Sequence, residues 1–196
     1  MPKQNKSTRK ILPVTGTALL LLDLITDFEF EDGDRLLRNT LPVANKLAAL
    51  KDRANRAGAA AIYVNDNFGK WQEDFKTMAE HFQGDEAKGK QVVRLLQPGP
   101  DDYYVLKPHR SAFYSTTLEI LLRELQVSKL IVSGVTTDIC VLFSANDAYM
   151  RGFELFIPSD CVAAVETTHS KRTLEFMERV LKADTRPSDK ISFRKA

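Results

Sequence analysis

Lys129-Leu130-Ile131-Val132-Ser133-Gly134-Val135-Thr136-Thr137-Asp138-Ile139-Cys140-Val141 is an apolar run that breaks at Gly134 and continues as a helix-forming stretch. It reads as a strand over 129–133, a bend at the glycine, and a helix over about 137–151, stopped by Gly152. Such a turn puts a cysteine near a helix start, where outward-pointing N–H groups carry partial positive charge. Those groups favour a thiolate and can hold an oxyanion. By itself, a cysteine after a strand is more often a small core hydrophobe than a nucleophile. The rest of the chain has to decide.

Working outward, the same strand-then-helix pattern recurs. Residues 17–23 form a nearly continuous apolar segment ending in a carboxylate, as expected of a strand buried on both faces of a parallel sheet. A helix follows over about 35–57, with Pro42 near its first turn or kinking it, and Gly58 closes it. Residues 59–66 read as a second strand, about 86–96 as a helix, 102–107 as a third strand, and 115–125 as a helix. After the quoted stretch come a strand at 153–158 and an amphipathic helix at 170–182 with Leu174, Met177, Val180 and Leu181 on one side. A short edge strand at 191–193 ends the chain. Strands alternating with helices predict a three-layer α/β/α sandwich around a mainly parallel sheet. Sites in such sheets lie beyond the strands' carboxyl ends. Asp23, Asp66, Lys107 and the 134–140 turn all fall there.

Composition narrows the field. The chain has 196 residues, which suits one domain over 13–196 preceded by a basic tail, 1–12, containing Lys3, Lys6, Arg9 and Lys10 and read as disordered. A net charge of +2 with interspersed signs argues against nucleic acid or an anionic membrane as a partner. The apolar runs at 18–22 and 59–64 are too short to span a bilayer. Two cysteines, Cys140 and Cys161, do not make a disulfide framework, so a reducing cytoplasm is expected.

Nucleophilic attack on a carbonyl requires a thiolate at Cys140 and a group to protonate the leaving nitrogen. Asp23 is the natural proton acceptor, since burial raises its pKa while a nearby ammonium lowers it. Lys107 supplies that ammonium, and its charge also favours the thiolate. Each residue alone has an ordinary explanation, Asp23 as a cap and Lys107 as a surface lysine. Three of them at strand ends point to a Cys-Asp-Lys site.

Leu21-Leu22-Asp23 with Asp27-Phe28, Lys107-Pro108-His109-Arg110-Ser111-Ala112-Phe113, and Gly134 to Val141 are three ordered motifs. In them the chain resembles the isochorismatase-like cysteine hydrolases, a superfamily that includes nicotinamidases, N-carbamoylsarcosine amidohydrolases, ureidoacrylate hydrolases and biuret hydrolases. The resemblance covers nearly the whole chain after the basic tail. It implies Asp23 as general base and acid, Lys107 as electrostatic partner and Cys140 as nucleophile. It further implies a cis peptide between Val135 and Thr136, with the N–H groups of Thr136 and Cys140 as an oxyanion hole. Members are often dimers or tetramers, so a homo-oligomer acting on a small molecule is expected.

Two departures from the family pattern bear on substrate. Many members carry a glutamine where this chain has Ile25. Metal-dependent nicotinamidases carry an Asp-x-His element, whereas here the residues are Asp66-Asn67-Phe68. Phe68 cannot ligate a metal, and His81, His109 and His169 are scattered, so neither metal nor other cofactor is expected. Phe28, Phe68, Trp71 and Phe113, with Tyr114, are candidates to wall the pocket or else ordinary core aromatics, and Arg110 either binds a substrate carboxylate or pairs with a helix or a neighbouring subunit. The irregular span 67–89 is read as an active-site excursion. Asp27 is expected to cap the loop, Asn65, Asp66 and Asn67 to orient it, and Cys161 to be structural. The leading reading is hydrolysis of a small amide or ureide through a thioester. Against it stand isochorismatase-type ether hydrolysis, a non-catalytic binding or scaffold protein, and a redox-sensing thiol.

Overall fold

The leucine run near the start of the chain lies in the middle of the sheet. In the computed structural model of the chain, which describes residues 15–67 and 87–193, β1 (Thr17–Leu22) is buried at every position. It pairs in parallel with β2 (Ala60–Asp66) on one side and β4 (Lys129–Val135) on the other. Continuous apolar sequence is what such a position demands, because neither face meets water. The strands β3 (Tyr103–Lys107) and β5 (Glu154–Phe156) extend the sheet to the order β3-β2-β1-β4-β5, and β6 (Val162–Ala163) pairs with the end of β4. Every strand pairing among the described residues is parallel.

Parallel neighbours need crossovers, and helices supply them. On one face, α1 (Gly33–Arg56) and α2 (Lys90–Leu95) pack Leu36, Leu47, Leu50 and Val92 against Leu19, Leu21, Tyr63 and Ile131. On the other, α3 (Leu118–Glu124), α4 (Leu142–Met150) and α5 (Thr167–Leu181) pack Leu122, Ala145, Met177 and Leu181 against Leu20, Leu22, Val64 and Val132. Alternate residues of each central strand thus serve opposite cores. The result is the three-layer α/β/α sandwich expected from the alternating pattern.

Several expectations need correcting in detail. Pro42 lies well inside α1 and leaves the Arg38 carbonyl without its usual N–H donor. Residues 191–193 form no strand. They follow a 3₁₀ turn at Ser188–Lys190, and Ile191 and Phe193 bury their side chains in the α1-side core instead. The guanidinium of Arg53 holds them there by donating to the Ser188 carbonyl at 2.6 Å. Val180 is exposed rather than buried, because it lies about 100° round the helix from Leu181. The two-residue β6 was too short to show a pattern. The basic tail 1–12, and Phe68, Trp71 and His81 in the 67–89 excursion, lie outside the described residues. Among the described residues no helix is long and apolar enough to cross a membrane.

Candidate active site

The site begins where β4 must bend. Gly134 lies opposite Leu22 in the register and has φ +111°, and a Cβ there would stand 2.1 Å from the Leu22 carbonyl oxygen. Only glycine fits both the conformation and the contact. Its N–H donates to the Cys161 carbonyl at 2.9 Å. The next peptide bond but one, Val135–Thr136, is cis. The chain then enters a π-helical turn at Thr137–Val141 before α4, where a single regular helix over 137–151 was expected. The Thr136 carbonyl accepts from the N–H groups of both Ile139 and Val141 at 3.1 Å. Thr137, fully buried, shares a 2.8 Å hydrogen bond with the Ser170 hydroxyl and so ties the turn to α5. Cys140 projects from this turn.

Asp23 comes from the neighbouring strand. β1 ends at Leu22, and Asp23 turns out of it with φ 51°, a conformation that short polar side chains tolerate. Its N–H still donates to the Val64 carbonyl at 3.0 Å. Its Oδ1 accepts the Asp66 N–H at 2.8 Å, which fixes the carboxylate across the end of β2. Lys107 is the last residue of β3, in register with Asp66, and its side chain is fully buried. Its Nζ stands 3.0 Å from Asp23 Oδ2, 3.6 Å from Cys140 Sγ and 3.6 Å from Asp66 Oδ2. The approach to Asp23 Oδ2 falls outside hydrogen-bond geometry, so that contact is ionic. Four adjacent strands therefore deliver one group each. The order reverses at β1 and β4, and the crevice at such a reversal is where open α/β sheets bind ligands.

The electrostatics correct one expectation. Burial pushes the Cys140 thiol up to about 12, the Asp23 carboxylate pushes it further the same way, and Lys107 only partly opposes them. Cys140 therefore rests as a thiol, where Lys107 and the helix start were expected to favour a thiolate near neutral pH. Asp23 is also raised above the usual carboxylate value, first by burial, with Lys107 and the Cys140 thiol pulling it back. Burial disfavours the Lys107 ammonium, yet the charges of Asp23, Cys140 and Asp66 outweigh it, and its pKa rises. The lysine stays charged. A thiol and a basic carboxylate flank it, which is an arrangement for moving a proton on demand.

Not every predicted site residue joins this group. Phe28 is fully buried in the α1-side core, stacked on Phe30 at 6.4 Å, and its ring lies where a Cβ on Gly89 would clash. Phe113 is buried in the opposite core, 6.1 Å from the Phe153 ring and beneath the Arg151 guanidinium. Both serve core packing instead of walling a pocket, since burial on all sides leaves no face for a substrate. Arg110 is exposed and makes no ion pair among the described residues. Tyr114 is exposed, with its ring edge-on to His109 at 5.1 Å.

Asp27 caps the loop, its Oδ1 accepting from the Glu29 N–H at 2.9 Å. Asn65 holds the same loop by donating to the Ile25 carbonyl at 2.8 Å. Cys161 is a buried free thiol whose Sγ lies 3.7 Å from Asp160 Oδ1. Among the described residues, no cluster of three or more His, Cys, Asp or Glu side chains is set to hold a metal. Asp66, placed with Asp23 and Lys107 at the strand ends but expected only to orient the loop, also makes an ionic contact with Lys107.

The Isochorismatase domain profile matches residues 17–185. The chain is 38% identical over 174 residues to YaaI, an uncharacterized isochorismatase family protein of Bacillus subtilis (strain 168), covering 89% of this chain and 95% of that protein. The pyrazinamidase/nicotinamidase of Streptococcus mutans UA159 superposes with a TM-score of 0.68 at 26% identity, covering 86% of this chain and 99% of that one. A cysteine hydrolase from Pseudomonas syringae pv. phaseolicola 1448A shares the fold with a TM-score of 0.73 at 20% identity, over 92% of each chain.

Proposed function

The chain belongs to the isochorismatase family, and from that premise we propose that it is a cysteine-dependent hydrolase cleaving the C–N bond of a small amide or ureide. The observation that carries the reading is the Lys107 ammonium standing between Asp23 Oδ2 and Cys140 Sγ. Similarity to a nicotinamidase structure supports the reaction class. As substrate binds, the Cys140 proton passes to Asp23 and Sγ attacks the carbonyl carbon. Lys107 offsets the negative charge that would otherwise accumulate on the pair.

The tetrahedral oxyanion is held by the N–H groups of Thr136 and Cys140. In support, the Thr136 N–H has no hydrogen-bond partner among the described residues. Collapse breaks the C–N bond, the leaving nitrogen takes the proton from Asp23, and a thioester remains on Cys140. Asp23 then takes a proton from water, which attacks the thioester, and the proton returns to sulfur as the carboxylic or carbamic product leaves. The thiol argues against ether hydrolysis, for which no covalent intermediate is needed.

Exposed Phe143 and Met150, one face of α4, support a homo-oligomer, checked by light scattering. The test of the function is a panel of primary amides and ureides scored by ammonia release. The Cys140→Ala protein should fold and release none. Turnover by that variant equal to wild type would refute the mechanism.

A further inference from the structure

Buried hydroxyls are nearly always hydrogen-bonded, because leaving one dry and unpaired is costly. Around the nucleophile turn the rule holds for three of them. Ser133 donates to the Leu20 carbonyl at 2.6 Å, Thr137 shares its bond with Ser170, and the Ser144 oxygen accepts from the Ala112 N–H at 2.9 Å. Thr136 breaks it. Its Oγ1 is buried and has no partner, and neither has its own N–H among the described residues.

Only four buried side-chain N or O atoms among the described residues lack a hydrogen bond. Arg53 Nε sits at the far end of α1, where its guanidinium holds the chain's last described residues. Asn65 Oδ1 belongs to an amide already committed to Ile25, and alternation along β2 turns it to the face opposite Asp66. The other two, Asp23 Oδ2 and Thr136 Oγ1, belong to the residues that directly follow the carboxyl ends of the adjacent strands β1 and β4. Thr136 is thus a residue with two unspent donors, four residues before the nucleophile, at the point where β4 leaves the sheet.

We propose that the Thr136 hydroxyl is a third oxyanion donor, bonding the scissile carbonyl oxygen alongside the N–H of the same residue. The proposal rests on the amide-hydrolase reading above and goes beyond its two backbone donors. A hydroxyl has a use that a fixed N–H lacks, since it rotates. It points its proton at the oxygen as charge develops there and turns away when the carbonyl re-forms. Side-chain and backbone donors of one residue lie close enough together to converge on a single oxygen.

The experiment compares wild type, Thr136→Val and Thr136→Ser on the amide or ureide of the panel from which wild type releases ammonia fastest, with Cys140→Ala alongside. Valine keeps the shape and removes the hydroxyl. The valine variant should lose on the order of 100-fold in kcat, the range found for single oxyanion donors, with KM little changed. Serine should restore most of it. The thermal midpoint of the valine variant should hold or rise, because the lost hydroxyl had no partner in the free protein. A structural hydroxyl gives the opposite, a lower midpoint. Wild-type kcat in Thr136→Val with an inactive Cys140→Ala overturns the hydroxyl's role alone. So does a valine loss that tracks a fallen midpoint or that serine does not repair. Turnover by Cys140→Ala, or silence across the panel, overturns the hydrolase reading and this one with it.

Discussion

Asp23→Asn should make Cys140 more reactive to an alkylating agent while abolishing turnover. The buried thiol stands at about 12 against an ordinary 9.0. At pH 8 its thiolate fraction is therefore about a thousandfold below that of an unperturbed cysteine. Burial is the first cause and remains in the variant. The Asp23 carboxylate is the second, and asparagine removes its charge while keeping its shape. A charge a few ångströms away typically moves a pKa by about 1–3 units, and Lys107 then acts unopposed on the sulfur. The thiolate fraction should rise about 10- to 1000-fold. Nucleophilicity falls as the pKa falls, with a slope of about 0.4–0.5, which halves the exponent and leaves a net gain of roughly 3- to 30-fold.

The assay is the pseudo-first-order rate of iodoacetamide addition, followed by mass spectrometry in a Cys161→Ser background so that one thiol reports. Ammonia release from the same preparations should fall to background, because the proton acceptor is gone. Alkylation in the asparagine variant at or below the wild-type rate would refute the electrostatic reasoning, and show Asp23 to be activating the thiol at rest.

Cys161→Ser should leave turnover unchanged, checked by the ammonia assay, since its thiol meets Asp160 and not the Asp23–Lys107 pair. Activity should fall on the acid side through a pKa above the usual carboxylate value of 3.8, because Asp23 must be ionised to accept the thiol proton and burial raises it; a pH profile of kcat/KM locates the limb. Lys107→Met should abolish turnover and destabilise the fold by about 3–5 kcal/mol in denaturant titration, the usual cost of breaking a buried ion pair. That variant should regain stability as pH falls, because a carboxyl whose folded pKa lies above its unfolded value binds its proton more tightly in the native state. Gly134→Ala should cost about 4 kcal/mol or more by thermal melts, since its Cβ would overlap the Leu22 carbonyl.

The layers and the sheet were legible because the strands at 17–22, 60–66 and 129–135 are buried on both faces, and unbroken apolar sequence has few other uses. Asp23 and Lys107 were legible for a related reason, as charged groups that terminate apolar runs, and Cys140 from its place in the turn that follows the break at Gly134. What sequence concealed was local. Whether Phe28 and Phe113 wall a cavity or fill a core depends on what packs against them, and an aromatic residue suits either. The protonation of Cys140 depends on burial competing with two opposite charges, and no spacing encodes that balance. The π-helical turn at Thr137–Val141 differs from an α-helix by one inserted hydrogen-bond step, which apolar periodicity over five residues does not resolve. The Thr136 hydroxyl, unlike the N–H of the same residue, could be singled out only from its lack of a partner, a property of the folded surroundings.

The placement of β1 between β2 and β4 has a kinetic corollary. Its partners lie some forty and more than a hundred residues further along the chain, and pairings of that separation close late and slowly. Asp23 and Cys140 therefore meet only once the longest loop in the sheet has closed. During refolding from denaturant, helical signal should return before catalysis does. The last increment of activity would then time the docking of the second half of the chain onto the first.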